Sequence, residues 1–561
     1  MSWRYDSKSV YTSSLSDILN VNCTMPSKST STLFTQAFVH ANLYKDSVAL
    51  MRVAQAMLAM DGVVNATLQM GNPANKEILQ DAGLLTTEVA NADPSDVMIV
   101  VQAMSRKACT SAIDMAKSQL AGTAKATSGS ASEEIAPRTV GMGLAKLGSA
   151  NIVQISVPGA YAAAEALKAV KQGLNVFMFS DNVPLDQEVA IKTEAAKRGV
   201  LVMGPDCGTA IIGGVPLGFA NNVRHGNIGL VAASGTGLQE VTTQIHRMGG
   251  GVSHAIGTGG RDVYADVGGI TMLQGIELLA RDADTKVIAI VSKPPAPEVT
   301  VKVMAALAAT GKPAVVLFLG SNLKSPSKSI RVVQTMVDCA AQAAKLANNW
   351  GLPPKVNKAQ PNAKKGAKGA APNWLALYPI PRKPMFHKAQ HYLRALYSGG
   401  TYCSEAQTIW AKSGLAVWSN IPVNKALLLS SPKKASFEHA ALDLGDDDFT
   451  VGKPHPMIDQ GARIERLLRE AADPTVRVIL LDVVIGWGAH TDPASELAAA
   501  VVQAKRMAAK GKRTLAVIGF VCGTELDPQG LATQEKKLRD AGMVLAPNSA
   551  SAAWLAGEWL K

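Results

Sequence analysis

Two short stretches carry residues suited to holding an anion. In VAASGTGLQE, Val231 to Glu240, a Ser-Gly-Thr-Gly corner of Ser234, Gly235, Thr236 and Gly237 joins an apolar run to a stretch with helical spacing. In LYSGGTYCSEA, Leu396 to Ala406, Gly399, Gly400 and Thr401 stand at the equivalent point. A helix start leaves backbone N–H groups unpaired and carries about half a positive charge. Glycine lets a ligand approach the backbone, and a hydroxyl adds a donor, so such a corner suits a phosphate or a carboxylate. The competing reading is an ordinary N-cap, with Ser234 or Thr236 satisfying its own helix.

Further candidates lie where strands end. GTGGRD places Gly259, Gly260 and Arg261 in one turn, where the guanidinium can grip a carboxylate or phosphate, or pair with a neighbouring acid. MGPDCGTAI puts Asp206 and Cys207 at a strand's carboxyl end, where open α/β sheets bind ligands. Cys207 has no base nearby in sequence and reads as a packed small residue rather than a nucleophile. DLGDDDFTVGKPHPMID gathers Asp443, Asp446, Asp447, Asp448, His455 and Asp459, and GWGAHTDPA adds His490 and Asp492. His455, His490 and Asp459 are the candidates for proton transfer. No Gly-x-x-x-x-Gly-Lys-Ser/Thr, His-Glu-x-x-His or Gly-x-Ser-x-Gly motif occurs, and no His/Cys cluster has metal-binding spacing.

The elements that must position these residues are α/β. Short apolar strands alternate with helices from about residue 150 onward, which implies parallel sheets covered on both faces. The expected organisation is a flexible extension (1–35), a small α+β domain (36–104) and a Rossmann-like half domain (105–222). A flavodoxin-like domain (223–346), a Lys/Ala/Pro linker (347–373) and a second flavodoxin-like domain (374–561) follow, the last a degenerate repeat of the fourth. The net charge of +12 is inflated by six lysines between Lys345 and Lys368, so nucleic-acid binding is not expected. No apolar run reaches the ~20 residues of a membrane span. Six scattered cysteines fit free thiols in a reducing cytoplasm.

The segments ISVPGAYAAAEALKAVKQG, MGPDCGTAI, GNIGLVAASGTGLQEV and GTGGRD resemble the succinyl-CoA synthetase α-subunit superfamily, and LDLGDDD with VRVILLDVVIG resembles its CoA-ligase domain. More closely, YKDSVALM, NPANKEIL, FMFSDNV, SGTGLQE, VSKPP and GDDDFTVGKPHPMID resemble the FdrA family over 36–561. That resemblance implies a ureide carbamoyltransferase subunit of the oxamate type, working in a hetero-oligomer with companion subunits. Phosphate would attack the ureide to give carbamoyl phosphate and an amide, with the two corners holding phosphate or carbamoyl phosphate, and Asp206, Cys207, Gly259, Gly260 and Arg261 near the substrate. No metal and no certain cofactor is expected. The alternatives are a CoA-binding acyl-CoA synthetase or acyltransferase subunit, whose corners hold CoA phosphates, and a non-catalytic assembly subunit. Against a self-sufficient ligase stands the lack of any histidine between His254 and His387, where the superfamily's phosphorylated histidine would fall, and of spare sequence for a nucleotide-binding ATP-grasp domain.

Overall fold

The computed structural model describes residues 33–122, 137–347, 380–450 and 454–561, apart from 44, 46 and 138. The expected extension and the lysine-rich linker lie almost wholly outside the described residues. The chain forms two compact units, 1–128 and 129–561.

The first unit runs β1 (Phe34–His40), α1 (Ser47–Leu58), β2 (Val63–Met70), α2 (Pro73–Asp81), α3 (Thr87–Ala90), β3 (Val97–Ala103) and α4 (Arg106–Gly122). Its antiparallel sheet has the order β1-β3-β2. Central β3 is apolar on both faces because both are covered. Val97, Ile99 and Val101 meet Leu50, Met57 and Ile113 of α1 and α4, while Met98 and Val100 meet Leu79, Leu84 and Val89. Helix α4 thus belongs to this core.

In the second unit, α5 (Val140–Leu147) precedes β4 (Ile152–Ile155), α6 (Gly159–Lys171), β5 (Asn175–Met178), α7 (Leu185–Arg198) and β6 (Val202–Met203), a three-stranded parallel sheet. Strands β7 (Thr209–Ile212) and β8 (Val215–Gly218) form a hairpin that joins the next sheet rather than this one. That sheet contains β9 (His225–Ala232), α8 (Gly235–Arg247), β10 (Val252–Gly257), α9 (Ile270–Arg281), β11 (Val287–Ser292), α10 (Pro297–Ala309), β12 (Ala314–Phe318), β13 (Ile330–Val333) and α11 (Met336–Leu346). The last sheet is wholly parallel. It runs β14 (Tyr392–Tyr397), α12 (Gly400–Lys412), β15 (Trp418–Ser419), β16 (Ala440–Asp443), α13 (Asp447–Thr450), α14 (Gly461–Ala472), β17 (Val476–Val484), α15 (Pro493–Lys510), β18 (Ala516–Cys522), α16 (Leu531–Asp540), β19 (Val544–Leu545) and α17 (Ser549–Glu558).

The two larger sheets repeat one topology. Five adjacent strands run β10-β9-β11-β12-β13 in one and β16-β14-β17-β18-β19 in the other. In both, the strand before the glycine corner (β9 or β14) lies inside the sheet, so its loop opens at the sheet's carboxyl edge. Helices α8, α11, α12 and α17 pack together and join the halves. Helix α8 is buried almost all round, Gly237 through His246, as a helix between two sheets must be.

Candidate functional site

The two glycine corners meet. Ser234 takes extended geometry and its hydroxyl accepts the Gly237 N–H at 3.0 Å, so it does cap α8. The same hydroxyl is hydrogen-bonded to that of Thr401 across the junction. Gly399 lies against the Thr236 side chain, and a Cβ on Gly399 would collide with it. Gly237 is similarly tight against Val291 and Thr401. Gly235 has Thr209 beside it. The cap of α12 differs, because Gly399 has no side chain and leaves that first turn without a side-chain cap. Ser234 satisfies one of the first-turn N–H groups of α8, whereas no side chain caps the first turn of α12, so the corner at Gly399, Gly400 and Thr401 retains the greater donor capacity for an anion.

A second pair of residues locks this junction. Glu240 and Glu405 occupy the same turn of α8 and α12, five residues past Gly235 and Gly400, and both are fully buried. Glu240 Oε1 accepts the Ser549 N–H that starts α17, and Glu405 Oε1 accepts the Met336 N–H that starts α11 at 2.6 Å. Each half thus caps a helix of the other. Ser549 Oγ also bonds Glu405 Oε2. Burial pushes the Glu405 carboxyl up to about 7 and raises Glu240 too, since a low-dielectric surrounding disfavours the charged form. The repeated Gly-Thr-x-x-x-Glu spacing carried this signal in the sequence.

Asp443 ends β16 beside the start of α12. Its Oδ1 accepts the Gly445 N–H at 3.0 Å, and its Oδ2 stands 2.8 Å from where a Cβ on Gly400 would be. Lys293 Nζ lies 3.7 Å from the same point. Burial pushes Asp443 up to about 7, opposed by the Gly445 hydrogen bond and by Lys293. A carboxyl poised there exchanges a proton near neutrality.

Of the three proton-transfer candidates, His455 reaches this neighbourhood. A Cβ on Gly445 would stand 2.6 Å from His455 Nε2 and 2.9 Å from the Ser398 carbonyl. Its Nδ1 accepts the Met457 N–H at 3.2 Å, which leaves the proton of the neutral ring on Nε2. Burial, then the charge of Arg463, lower it to about 4. At neutral pH it is a neutral donor, not an imidazolium acid. Its ring stacks at a tilt on Phe219, 5.8 Å away. The backbone N–H of His490 donates to the Met457 carbonyl, but its ring accepts from Asp492 N–H and faces Glu496 at 3.5 Å. Asp459 accepts the Gly461 N–H at 2.7 Å, a local turn before α14.

The candidates around 206 and 261 form a tied network. Asp206 sits at φ 55°. Burial among the loops, then Asp181 and Asp447, push its carboxyl up to about 6 against the pull of Arg261, although the side chain keeps contact with solvent. Arg261 pairs with Glu188 at 2.9 Å and donates to the Val183 carbonyl, while Asp262 pairs with fully buried Lys192. Gly259, at φ 80°, lets the Pro205 carbonyl approach, whereas Gly260 faces open space. Cys207 is buried, donates to the Thr209 carbonyl and is pushed up to about 12 by burial. It is a packed thiol, not a nucleophile.

Family models match three parts of the chain: a CoA-ligase over 396–558, a CoA binding domain over 223–320 and the AllF heavy metal-associated domain over 33–137. The matched regions 223–320 and 396–558 are thus of the CoA-binding and CoA-ligase type found in succinyl-CoA synthetase-like proteins. The chain belongs to the family of the uncharacterized protein YahF of Escherichia coli (strain K12), with 39% identity over 530 residues, 93% of this chain and 98% of that protein. An ADP-forming succinate–CoA ligase alpha subunit of Archaeoglobus fulgidus is 26% identical over 26% of this chain. The sulfoacetate–CoA ligase subunit SauD of Bilophila wadsworthia is 27% identical over 26% of this chain. This chain spans half the length of each of those two relatives.

These findings correct the expected activity. The matched models and the relatives with a stated activity point to CoA ligases, not to a carbamoyltransferase. The expectations of oxamate, ureide and carbamoyl phosphate fall with it. The physical reason is that a helix start binds any phosphate or carboxylate, so the glycine corners never discriminated between these ligands. No three His, Cys, Asp or Glu side chains converge among the described residues, and Cys109 is a buried thiol, raised by burial, that donates to the Phe34 carbonyl. No described helix is long and apolar enough to cross a membrane.

Proposed function

We propose that this chain is the CoA-binding subunit of an acyl-CoA ligase or acyltransferase, and that the α8–α12 junction holds the anionic group of the reactant. The observation that carries this reading is the uncapped first turn of α12, faced by Lys293 and by the Asp443 carboxyl. The residues fit CoA chemistry, because free N–H groups and an ammonium suit a CoA phosphate or an acyl phosphate. In acyl transfer the CoA thiol sulfur bonds the acyl carbon, the carbon–oxygen bond to phosphate breaks, and phosphate departs with the electron pair. The α12 N–H groups and Lys293 oppose the charge on the transient oxyanion, and Asp443 accepts the thiol proton. With no histidine between His254 and His387, any nucleotide-dependent phosphorylation falls to a companion chain, which makes the working enzyme a hetero-oligomer. Placement in the FdrA family within the wider superfamily is part of this proposal and rests on the shared motifs.

The test is the melting temperature of the full chain with CoA, acetyl-CoA and acetyl phosphate. CoA or acetyl-CoA at a hundredfold excess over Kd stabilises by about 3 kcal/mol. No shift with any of the three, alone or with companion subunits, refutes the reading. The mutual satisfaction of Ser234 and Thr401 favours a second reading, a purely assembling role. In that case Thr401→Ala lowers stability yet leaves the CoA-induced shift and the activity of the complex unchanged.

A further inference from the structure

A cavity of about 640 Å³ opens where the 223–347 and 380–561 halves meet. The loops after β11 and β12 supply Lys293 and Leu319, α12 supplies Ser404, and the segment beyond β15 supplies Ile421, Pro422 and Lys425. Most of this wall is apolar. The charged groups among its described lining residues are both ammoniums, Lys293 and Lys425. Two of its lining residues also border the start of α12: Ile421 Cδ1 and Lys293 Nζ stand 3.1 Å and 3.7 Å from where a Cβ on Gly400 would be. Asp443 reaches the same point, and Asp446 is the other acid that feels Lys293. Burial disfavours the charged form of both carboxyls, which weakens their hold on the ammonium. Of the two ammoniums it is Lys293 that stands beside the uncapped start of α12, so the apolar wall and that cation match a hydrocarbon body ending in one anionic group.

We propose that Lys293 anchors the carboxylate of an organic acid whose apolar chain lies along Leu319, Ile421 and Pro422, so that the cavity selects apolar monocarboxylates over small polar anions. This rests on the acyl-ligase reading above, and it names the residue and the wall that set substrate choice.

The test is ligand-induced stabilisation of the full chain by acetate, butyrate, hexanoate and inorganic phosphate, with hexanamide as the uncharged control. Apparent affinity rises about fourfold per added methylene as each is taken from water. Lys293→Gln weakens hexanoate binding about tenfold or more, as expected for loss of a charge-assisted contact, and hexanamide does not bind detectably. Because Lys293 is solvent-exposed, the variant folds, and an unchanged melting temperature without ligand verifies it. Lys293→Arg restores part of the affinity. No stabilisation by hexanoate, equal binding by Lys293→Gln, or equal binding of hexanamide overturns the proposal. CoA is titrated in parallel: a CoA shift without hexanoate binding sinks the anchor alone, and hexanoate binding without a CoA shift sinks the ligase reading alone.

Discussion

Replacing Glu405 separates a buried neutral carboxyl from a buried charge. The carboxyl lies between the start of α11 and the start of α17, accepting Met336 N–H and bonding Ser549 Oγ. Burial moves it from 4.5 to about 7. A raised carboxyl pKa means the folded state holds the proton more tightly than the unfolded one. Its contribution is complete below about 4.5 and is lost as pH rises through 7. A shift of this size corresponds to on the order of 3 kcal/mol. Glu405→Gln keeps an acceptor for Met336 N–H and supplies an N–H donor for Ser549 Oγ, but it has no proton to lose. The variant should match the wild type near pH 5 and exceed it at pH 8 by up to about 3 kcal/mol. Glu405→Ala orphans the Met336 N–H and opens a cavity, costing about 2–4 kcal/mol at both pH values. The assay is urea denaturation at pH 5, 6.5 and 8. Because other carboxyls titrate in both proteins, the quantity read is the difference between Glu405→Gln and wild type. A difference that does not change with pH, or Gln as damaging as Ala at pH 8, refutes the neutral-carboxyl argument.

Gly445→Ala should lower stability by about 1–3 kcal/mol and displace His455, because the added Cβ meets His455 Nε2 and the fixed Ser398 carbonyl; calorimetry and the imidazole NMR signals report both. His455 is lowered to about 4, so its contribution is full above its ordinary 6.5 and fades as pH falls from 6.5 toward 4. His455→Asn should flatten the loss of stability across that window, and an unaltered profile would mean the ring is charged in the fold. Native Cys207 should resist thiol reagents at pH 8 until the chain unfolds, given its burial and its pKa of about 12. Cys207→Ser should keep the CoA-induced shift, and loss of that shift would reopen a chemical role for the thiol.

Much of the architecture was already written along the chain. Apolar runs such as VIAIVS and VRVILLDVV have no polar face to offer water, so they become strands covered on both sides. The equivalence of SGTG and SGGT foretold the repeat that the two sheets bear out, β10-β9-β11-β12-β13 against β16-β14-β17-β18-β19. Local pattern also set the caps of Ser234 and the packed state of Cys207. It could not reveal that the two corners face each other, because that contact joins residues 167 positions apart. Nor could it place Lys293 beside Asp443 and Gly400, which sit on three different strand ends. Pairing of such groups depends on how two sheets are docked by the buried helices α8 and α12, and no local periodicity encodes that docking. The ligand chemistry was least legible of all: a helix start and a lysine suit any phosphate or carboxylate, and the apolar wall beside them is assembled only in the tertiary structure.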